Sequence, residues 1–574
     1  MVAYETVSRL GGLLTLELPP TPDRNWRPGD HVEFRGIDLR KPRHLPWSAV
    51  IVTITEREVV VRLPANDGLA RAVGLDWIQL EMKRADLSQL LRNQLQVYQQ
   101  LLIDTDYAER LLDPADLPRI NRQERAHLSL LNELDPDAAS NDEQAMAFAH
   151  ALGTAEGGLA LIQGPPGTGK IRLIANLVRA IVKSGRTVLV TAHTNVAVDN
   201  ALERVLRLEP TLRDAMVRVG NPLKVAPAIE PLRAPWTSFP SAADADDPHA
   251  DAFSVVFEQK PVVGMTLAML ASRMATRYSA NYERFDYVLV DESSMNLVPP
   301  ITCAWHAGHR LVLVGDHRQL PPIIQAPEFA SRPGFCVGPF ERIAWDRPDL
   351  LARMTRQYRS LPAIMDWSNR ALYDSKLQTM RQGAPPTVDI DGQRNSGPCI
   401  WIETSRVNGN MHIARTNGAR ATPSFANPTH AAIATHVIRS VIGHGYSPSE
   451  IGYISPYRLQ AGLVADLAAT HLDTRELEAS TVDAYQGREK RAIIFDATTT
   501  SPQRSHDSIQ RLNVALTRAR DLLIVIGVRD VTASQDASPY YYSLCRWFDG
   551  RPTLDASRFQ LDHDLLSDAR AMYG

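Results

Sequence analysis

Cysteine is scarce in this chain. Cys303, Cys336, Cys399 and Cys545 are scattered over 574 positions and form no C-x-x-C pair. That spacing argues against a zinc ribbon, an iron–sulfur cluster or a disulfide scaffold, and it suits a reducing compartment. Long apolar runs are missing as well: no stretch approaches the ~20 residues that a membrane-spanning helix needs. The N-terminal MVAYETVSRLGG has no apolar segment behind a basic start, so no secretory leader is expected and a cytoplasmic location follows as the expectation. Neither charge sign dominates, with 62 Lys and Arg against 65 Asp and Glu for a net charge of −3. A global basic field is thereby excluded, and a nucleic-acid partner would have to be held by a local groove or patch. No internal repeat is visible.

What remains is an ordinary globular composition, 44% hydrophobic and 22% charged. At ~100–200 residues per domain, the length allows roughly three to four domains. Over residues 1–85, GDHVEFRG and SAVIVTITEREVVVRL alternate apolar and polar residues with many β-branched side chains, which predicts a small β-barrel. From ADLSQLLRNQLQVYQQLLI the period turns helical, with Leu87, Leu91, Leu95, Tyr98 and Leu102 on one face, and residues 86–135 read as a helical stalk. Then short apolar strands alternate with helices: LALIQG, TVLVTA, PVVGMT, YVLVDE and LVLVGD, followed by PCIWIET, EIGYISPY, RAIIFDATT and DLLIVIGV. Two tandem α/β domains with parallel sheets are predicted, over residues 136–344 and 345–574. APWTSFPSAADADDPHADA and RVNGNMHIARTNGARATP read as mobile insertions.

The chemistry begins at LIQGPPGTGKIRLIANLV. Gly164, Gly169 and Lys170 fit G-x-x-x-x-G-K between a strand and a helix. Glycines let backbone N–H groups close on phosphate oxygens, the helix N-terminus favours the anion, and Lys170 would reach the β- and γ-phosphates. Gly164, Pro165, Pro166, Gly167, Thr168, Gly169, Lys170 and Ile171 therefore form the candidate nucleotide loop. In YVLVDESS a strand ends on Asp291 and Glu292, where an acidic pair can supply a Mg²⁺ ligand and a base for the attacking water.

GPPGTGK, DESS, VGDHRQLPP, RQYRS, TVDAYQGRE and NVALTRAR stand in the order found in superfamily 1 helicases. From about Asn141 to Val528 the chain resembles the branch containing the nonsense-mediated-decay RNA helicase, the immunoglobulin mu-binding helicase and the replication helicase–nuclease. The resemblance implies two RecA-like domains hydrolysing ATP with Mg²⁺ at the cleft between them. It also implies movement on single-stranded DNA or RNA in the 5′-to-3′ direction. The N-terminal barrel and stalk resemble that branch's barrel insertion, although here they precede the motor. By the same resemblance Gln144 reads the adenine edge, Gln319 senses the γ-phosphate and Tyr358 stacks near the adenine. Arg359 and Arg518 are the arginine fingers, and Glu489 contacts the ribose. Thr194, Asn195, Thr266, Tyr457, Gln460 and Thr481 match positions that meet the nucleic-acid strand. Taken singly, each Thr or Asn reads more readily as a helix cap. The basic cluster of Arg35, Arg40, Lys41, Arg43 and His44 near Trp47 is either a solvated loop or a strand-guiding contact.

Three departures from the family pattern stand out. Met295 replaces the glutamine that links nucleotide and strand sites, and Ser360 replaces the usual methionine of the QYR motif. Ile171 stands where a Ser or Thr hydroxyl should bind Mg²⁺. Three readings of Ile171 stay open at this level: a water completes the metal shell and a slower motor survives; nucleotide binds but is barely hydrolysed, leaving an ATP-gated clamp; or a single altered residue sits in an otherwise active sequence. A nucleic-acid-independent NTPase switch is a further alternative. No zinc-rich regulatory region or nuclease motif is recognisable, so the chain reads as a minimal motor or as the motor portion of a longer protein.

Overall fold

The computed structural model describes residues 88–121, 124–220, 225–234, 260–277, 284–322, 337–407, 413–415, 424–498, 508–529 and 539–572, together with strand backbones between positions 5 and 84. The chain divides into two compact units. One comprises Met1–Tyr107, Gly185–Asp286 and Thr302–Gly308; the other comprises Ala108–Ser184, Tyr287–Ile301 and His309–Gly574.

Every apolar run predicted as a parallel strand forms one. In the larger unit, Leu351–Arg353, Leu159–Gln163, Leu311–Gly315 and Tyr287–Asp291 lie side by side in that order, all parallel. The last three are buried along their whole length, as strands covered on both faces must be, and this is why they read as unbroken apolar runs. Their carboxyl ends deliver Gly164, Asp316 and Asp291 to one edge. A second parallel sheet follows in the order Glu478–Thr481, Ile451–Ser455, Lys490–Asp496, Ala519–Gly527, Cys399–Glu403 and Thr553–Asp555. One of its faces packs Ile400, Ile494 and Ile524 against Val437 and Val441 of the helix Pro428–Gly443. The other packs Trp401, Phe495 and Phe548 together with Leu512 and Leu516 of the helix Ile509–Leu516. The chain thus carries the two expected parallel-sheet α/β domains.

In the smaller unit, Val188–Ala192, Val262–Thr266 and Met216–Arg218 run parallel. The N-terminal strands Glu5–Leu10, Leu13–Glu17, His31–Asp38, His44–Ile54, Glu58–Arg62 and Ile78–Arg84 form an antiparallel sheet in which the fifth and fourth strands lie between the second and third. Closure of that sheet into a barrel falls outside the described residues, as do the side chains of Arg35, His44 and Trp47 and the loop bearing Arg40, Lys41 and Arg43. The insertion beginning at residue 235 is likewise outside them, whereas the second predicted insertion contains the strand Ile413–Arg415, paired with Ser424–Ala426. The helix Ser88–Asp104 forms as predicted but turns a different face inward. Val97 and Leu101 are buried, while Leu95 and Leu102 are exposed at 57% and 47%. Gln94 explains the rotation: its amide donates to Ala268 O at 3.0 Å and Ser272 Oγ at 3.2 Å on the helix Leu267–Arg277. Among the described residues no helix is long and apolar enough to cross a membrane.

The smaller unit is tied by one buried ion pair. Arg218, fully buried, donates from Nε to Asp199 Oδ1 at 2.6 Å and from Nη2 to Asn195 Oδ1 at 2.8 Å, while Asp199 Oδ2 accepts from Ala226 N at 2.8 Å. Removing one partner of such a pair leaves a charge stranded in a poor dielectric, which costs about 3–5 kcal/mol. Asp199→Ala should therefore shift urea unfolding to markedly lower denaturant. The apolar double replacement Asp199→Leu with Arg218→Met should recover much of the loss. Equal destabilisation of the single and double variants would show that packing, not the stranded charge, sets the cost.

Candidate functional site

The predicted phosphate loop connects Leu159–Gln163 to the helix Lys170–Lys183. Gly167 and Gly169 adopt φ of +77° and +92°, the left-handed region that side chains disfavour. Space forbids them as well. A Cβ at Gly167 would lie 2.6 Å from Arg359 Cβ, and one at Gly169 would strike the Gln144 amide. At Gly164 a Cβ would strike the stem of Lys170. Other parts of the chain therefore close on the loop at all three glycines.

Gln144 is placed by its own helix. Asn141 caps Asp142–Leu152, accepting from Glu143 N at 3.1 Å and Gln144 N at 3.3 Å, and Gln144 Nε2 donates to Thr168 O at 3.0 Å. Asn141 Nδ2 also donates to the Tyr358 hydroxyl at 2.7 Å, leaving that ring 47% exposed beside the loop. Tyr358 N in turn donates to Gly167 O at 2.9 Å. Behind the loop, Arg172 Nε and Asn176 Nδ2 donate to Asp135 Oδ2 at 2.7 and 2.8 Å. Burial alone would raise the Asp135 carboxyl, but these bonds outweigh it and hold the group below the usual carboxylate range. The first turn of the loop helix is thereby fixed, and Ile171 sits half-buried within it.

Three cations meet here: Lys170, Arg359 and Arg518. Lys170 Nζ donates to Gly164 O, Arg359 forms an ion pair with Glu489, and Arg518 Nη2 donates to Gln319 Oε1 at 3.1 Å. Burial lowers Lys170, with Asp316 and Asp291 opposing the shift and both arginines adding to it. Burial, reinforced by the Arg359 charge, takes Arg518 down to about 9, still protonated at neutral pH. Asp291 is pushed up by burial and held back by Lys170. Glu292, in the left-handed region at φ 50°, carries its carboxylate toward Gly487.

Sequence reasoning missed the hub behind these groups. Asp316 Oδ2 accepts from Gln319 Nε2 at 2.9 Å and from the Tyr373 hydroxyl at 2.7 Å. Asn513 Nδ2 donates to Tyr373 Oη and to Arg318 O, both at 2.9 Å. The loop carrying Gln319 is thus bonded to the helix Ile509–Leu516, which precedes Arg518. Asp316 ends an apolar strand as Asp291 does, and that was the available signal; nothing in the sequence marks Tyr373. The departures find partners too. Ser360 is buried and donates to Ala519 O at 2.5 Å, and Met295 packs against the cluster containing Leu320 and Tyr485.

The residues matched to strand contacts are divided between the two units. In the smaller unit, Thr194 caps the helix Asn195–Leu208 by accepting from Ala197 N at 3.2 Å, Asn195 is held by Arg218, and Thr266 accepts from Met269 N at 3.2 Å. In the larger unit, Tyr457 meets Phe425 edge-on at 4.9 Å and Thr481 ends its strand half-buried. Gln460 is fully buried, donating to Asp496 Oδ2 at 2.8 Å and accepting from Asn427 N at 2.7 Å. Asp496 also accepts from Tyr453 Oη at 2.5 Å and pairs with His430 Nδ1 at 2.8 Å.

Two family models, each described as an AAA domain, match residues 139–235 with 245–327 and residues 337–530. The DNA replication ATP-dependent helicase/nuclease JHS1 of Arabidopsis thaliana is 29% identical over 398 residues, 67% of this chain and 28% of that protein. The DNA replication ATP-dependent helicase/nuclease DNA2 of Mus musculus is 27% identical over 550 residues, 88% of this chain and 48% of that protein. The chain spans between about a quarter and a half of the length of these relatives. Among solved structures, the DEAD-box helicase Mss116 bound to ssRNA and UDP-BeF aligns over 81% of this chain and 82% of its own, at 9% identity and a TM-score of 0.42.

The hub can be tested without any assay of function. Tyr373→Phe removes one donor from the Asp316 carboxylate and the acceptor of Asn513, at constant ring volume. A buried hydrogen bond to a charged group contributes about 1.5–3 kcal/mol, so the variant should lose stability of that order in urea unfolding. A change below about 0.5 kcal/mol would mean that the network carries no strain-bearing load.

Proposed function

From the membership of this chain in the superfamily 1 helicases, in the branch that contains the replication helicase–nuclease, we propose that it is an ATP-driven translocase on single-stranded nucleic acid. The observation that carries the reading is the convergence of Lys170, Arg359 and Arg518 on one glycine loop, where buried like charges call for a polyanion. ATP meets that demand, and the tight turns at Gly167 and Gly169 leave room for its phosphates and for nothing bulkier on the chain itself.

Lys170 would exchange its own loop carbonyl for β- and γ-phosphate oxygens. Arg359 would pass from Glu489 to the phosphoryl group, leaving the Glu489 carboxylate for the ribose. Gln319, held by Asp316, would sense the γ-phosphate, and Arg518 behind it would neutralise charge as the phosphoryl group transfers. Glu292 would accept the proton of the attacking water. Gln144 and Tyr358 would hold the adenine by edge and face. The donor set suits Mg²⁺, which is commonly bound through one or two carboxylates plus substrate phosphates and otherwise keeps its waters; here Asp291 is the chain's ligand. With Mg²⁺ bound, the site gains a Lewis acid on the phosphate oxygens.

The relatives are DNA replication enzymes by name, so DNA is the first strand to test, with RNA as the alternative; the resemblance gives 5′-to-3′ movement. Thr194, Asn195, Thr266, Tyr457 and Thr481 would hold the strand through its backbone, without base readout. Gln460, spent on Asp496 and Asn427, would orient that segment and reach the strand only if the cluster opened. A second reading, an ATP-gated clamp with impaired hydrolysis, is favoured by Ile171 and Met295.

Phosphate release measured with and without oligonucleotides decides between these readings. A motor hydrolyses faster with a strand, a clamp stays near background, and a nucleic-acid-independent switch turns over equally in both conditions. In the motor, Arg359→Ala and Arg518→Ala should each remove most of the strand-stimulated rate while nucleotide binding persists. Parent-like hydrolysis by either variant would dismiss that arginine as a finger.

Ile171→Thr should restore the metal ligand with little backbone disturbance, since both side chains are β-branched. A contact of that kind contributes about 1.5–3 kcal/mol, so turnover should rise roughly ten- to a hundredfold and need less magnesium. A variant that matches an active parent throughout a magnesium titration would show that water already completes the shell.

A further inference from the structure

A cavity of about 220 Å³ adjoins the phosphate loop, sharing Gln163 and Pro165 with its base, and the hub's Tyr373 forms part of its wall. Trp345 stands at its wall with 58% of its surface exposed, and among the described residues no ring stacks on it. Tryptophan is highly buried on average, so this degree of exposure is unusual for the residue type. Around it are Arg318, Arg353 and Lys376, against one lining carboxylate, Asp374, which pairs with Lys376 at 3.3 Å. Arg353 donates to Gln163 Oε1 at 3.3 Å, while the Arg318 guanidinium makes no hydrogen bond or ion pair among the described residues and feels Glu341 only through space. His317 also lines the cavity, and its buried Nδ1 has no hydrogen-bond partner among the described residues.

These features define a ligand. An open indole face binds a flat aromatic ring, and a surplus of cations beside it binds an attached anion. The volume is below the ~300–1,000 Å³ of pockets that swallow whole cofactors, so it suits a single base rather than a second triphosphate. The unpartnered imidazole nitrogen offers the ring or its sugar a polar contact. We propose that this cavity is a second nucleotide site, taking one base on Trp345 with its phosphate on Arg318, Arg353 and Lys376. The base can come from a free nucleoside monophosphate or from a nucleic-acid strand passing the loop, since both present the same ring and phosphate. Occupancy here bears on the loop directly, through Pro165.

Photo-crosslinking with peptide mapping tests the site. One probe is 8-azido-AMP and the other is an oligo-dT carrying one 5-iodouracil, each added with a saturating non-hydrolysable ATP analogue over the phosphate loop. Labelling is expected at Trp345 or Lys376, competed by AMP but not by adenosine, and reduced about tenfold or more in Trp345→Leu and in Lys376→Glu. Labelling by 8-azido-AMP assigns the free nucleotide, and labelling by the oligonucleotide alone assigns the strand. Absence of label from both residues with both probes, or undiminished labelling in correctly folded Trp345→Leu, overturns the proposal. The mapped position keeps this result separate from the motor reading, because it needs no hydrolysis and a failed phosphate loop would leave label at Trp345 unchanged.

Discussion

Like charges buried together dominate this molecule. Lys170, Arg359 and Arg518 come from three distant parts of the sequence and lie close enough that both arginines add to the lowering of Lys170 by burial. Such a cluster is tolerable only while each cation has a stand-in partner: a loop carbonyl for Lys170, Glu489 for Arg359 and Gln319 for Arg518. The rest of the larger unit serves that arrangement. Parallel strands bring Gly164, Asp291 and Asp316 to one edge, the Asp135 bonds hold the loop helix, and Asp316 with Tyr373 and Asn513 joins the loop of Gln319 to the helix before Arg518. On the proposed reading, a triphosphate would replace these three separate partners with one polyanion.

Much of this was legible in the sequence because its signals are local. Buried parallel strands must be apolar throughout, and LALIQG or YVLVDE can hardly be read otherwise. A phosphate loop is six residues of turn chemistry, visible without any tertiary knowledge. What was hidden depends on residues far apart in the chain. Tyr373 meets Asp316 across 57 positions and Asn513 across 140, and a lone tyrosine on a helix end announces neither. The inward face of Ser88–Asp104 was misjudged because leucines outnumber other apolar residues there, whereas Gln94 and its two acceptors set the rotation. Gln460, matched by resemblance to a strand contact, is sealed against Asp496, a burial that only the meeting of two strands and a helix could reveal.

The departures from the family pattern differ in kind once they are seen in place. Ser360 has exchanged a thioether for a hydrogen bond to Ala519 O, a self-contained repair. Met295 has exchanged a polar link for apolar packing beside Leu320, so any coupling it once carried must run elsewhere; the hydrogen-bonded route from Gln319 through Asp316 and Tyr373 to Asn513 is intact. Ile171 has no such compensation on the chain. Arg172 and Asn176 on the same helix are held by Asp135, so on the proposed reading the metal would rely on Asp291 and solvent.

The contact at Gly167 has a genetic consequence. A side chain there would meet Arg359 at 2.6 Å and would also have to hold φ at +77°. One missense change therefore damages the loop's conformation and the seat of an arginine at the same moment, and the two penalties add. A substitution at this one position would thus report on the turn and on the seat of Arg359 together, and could not separate the two.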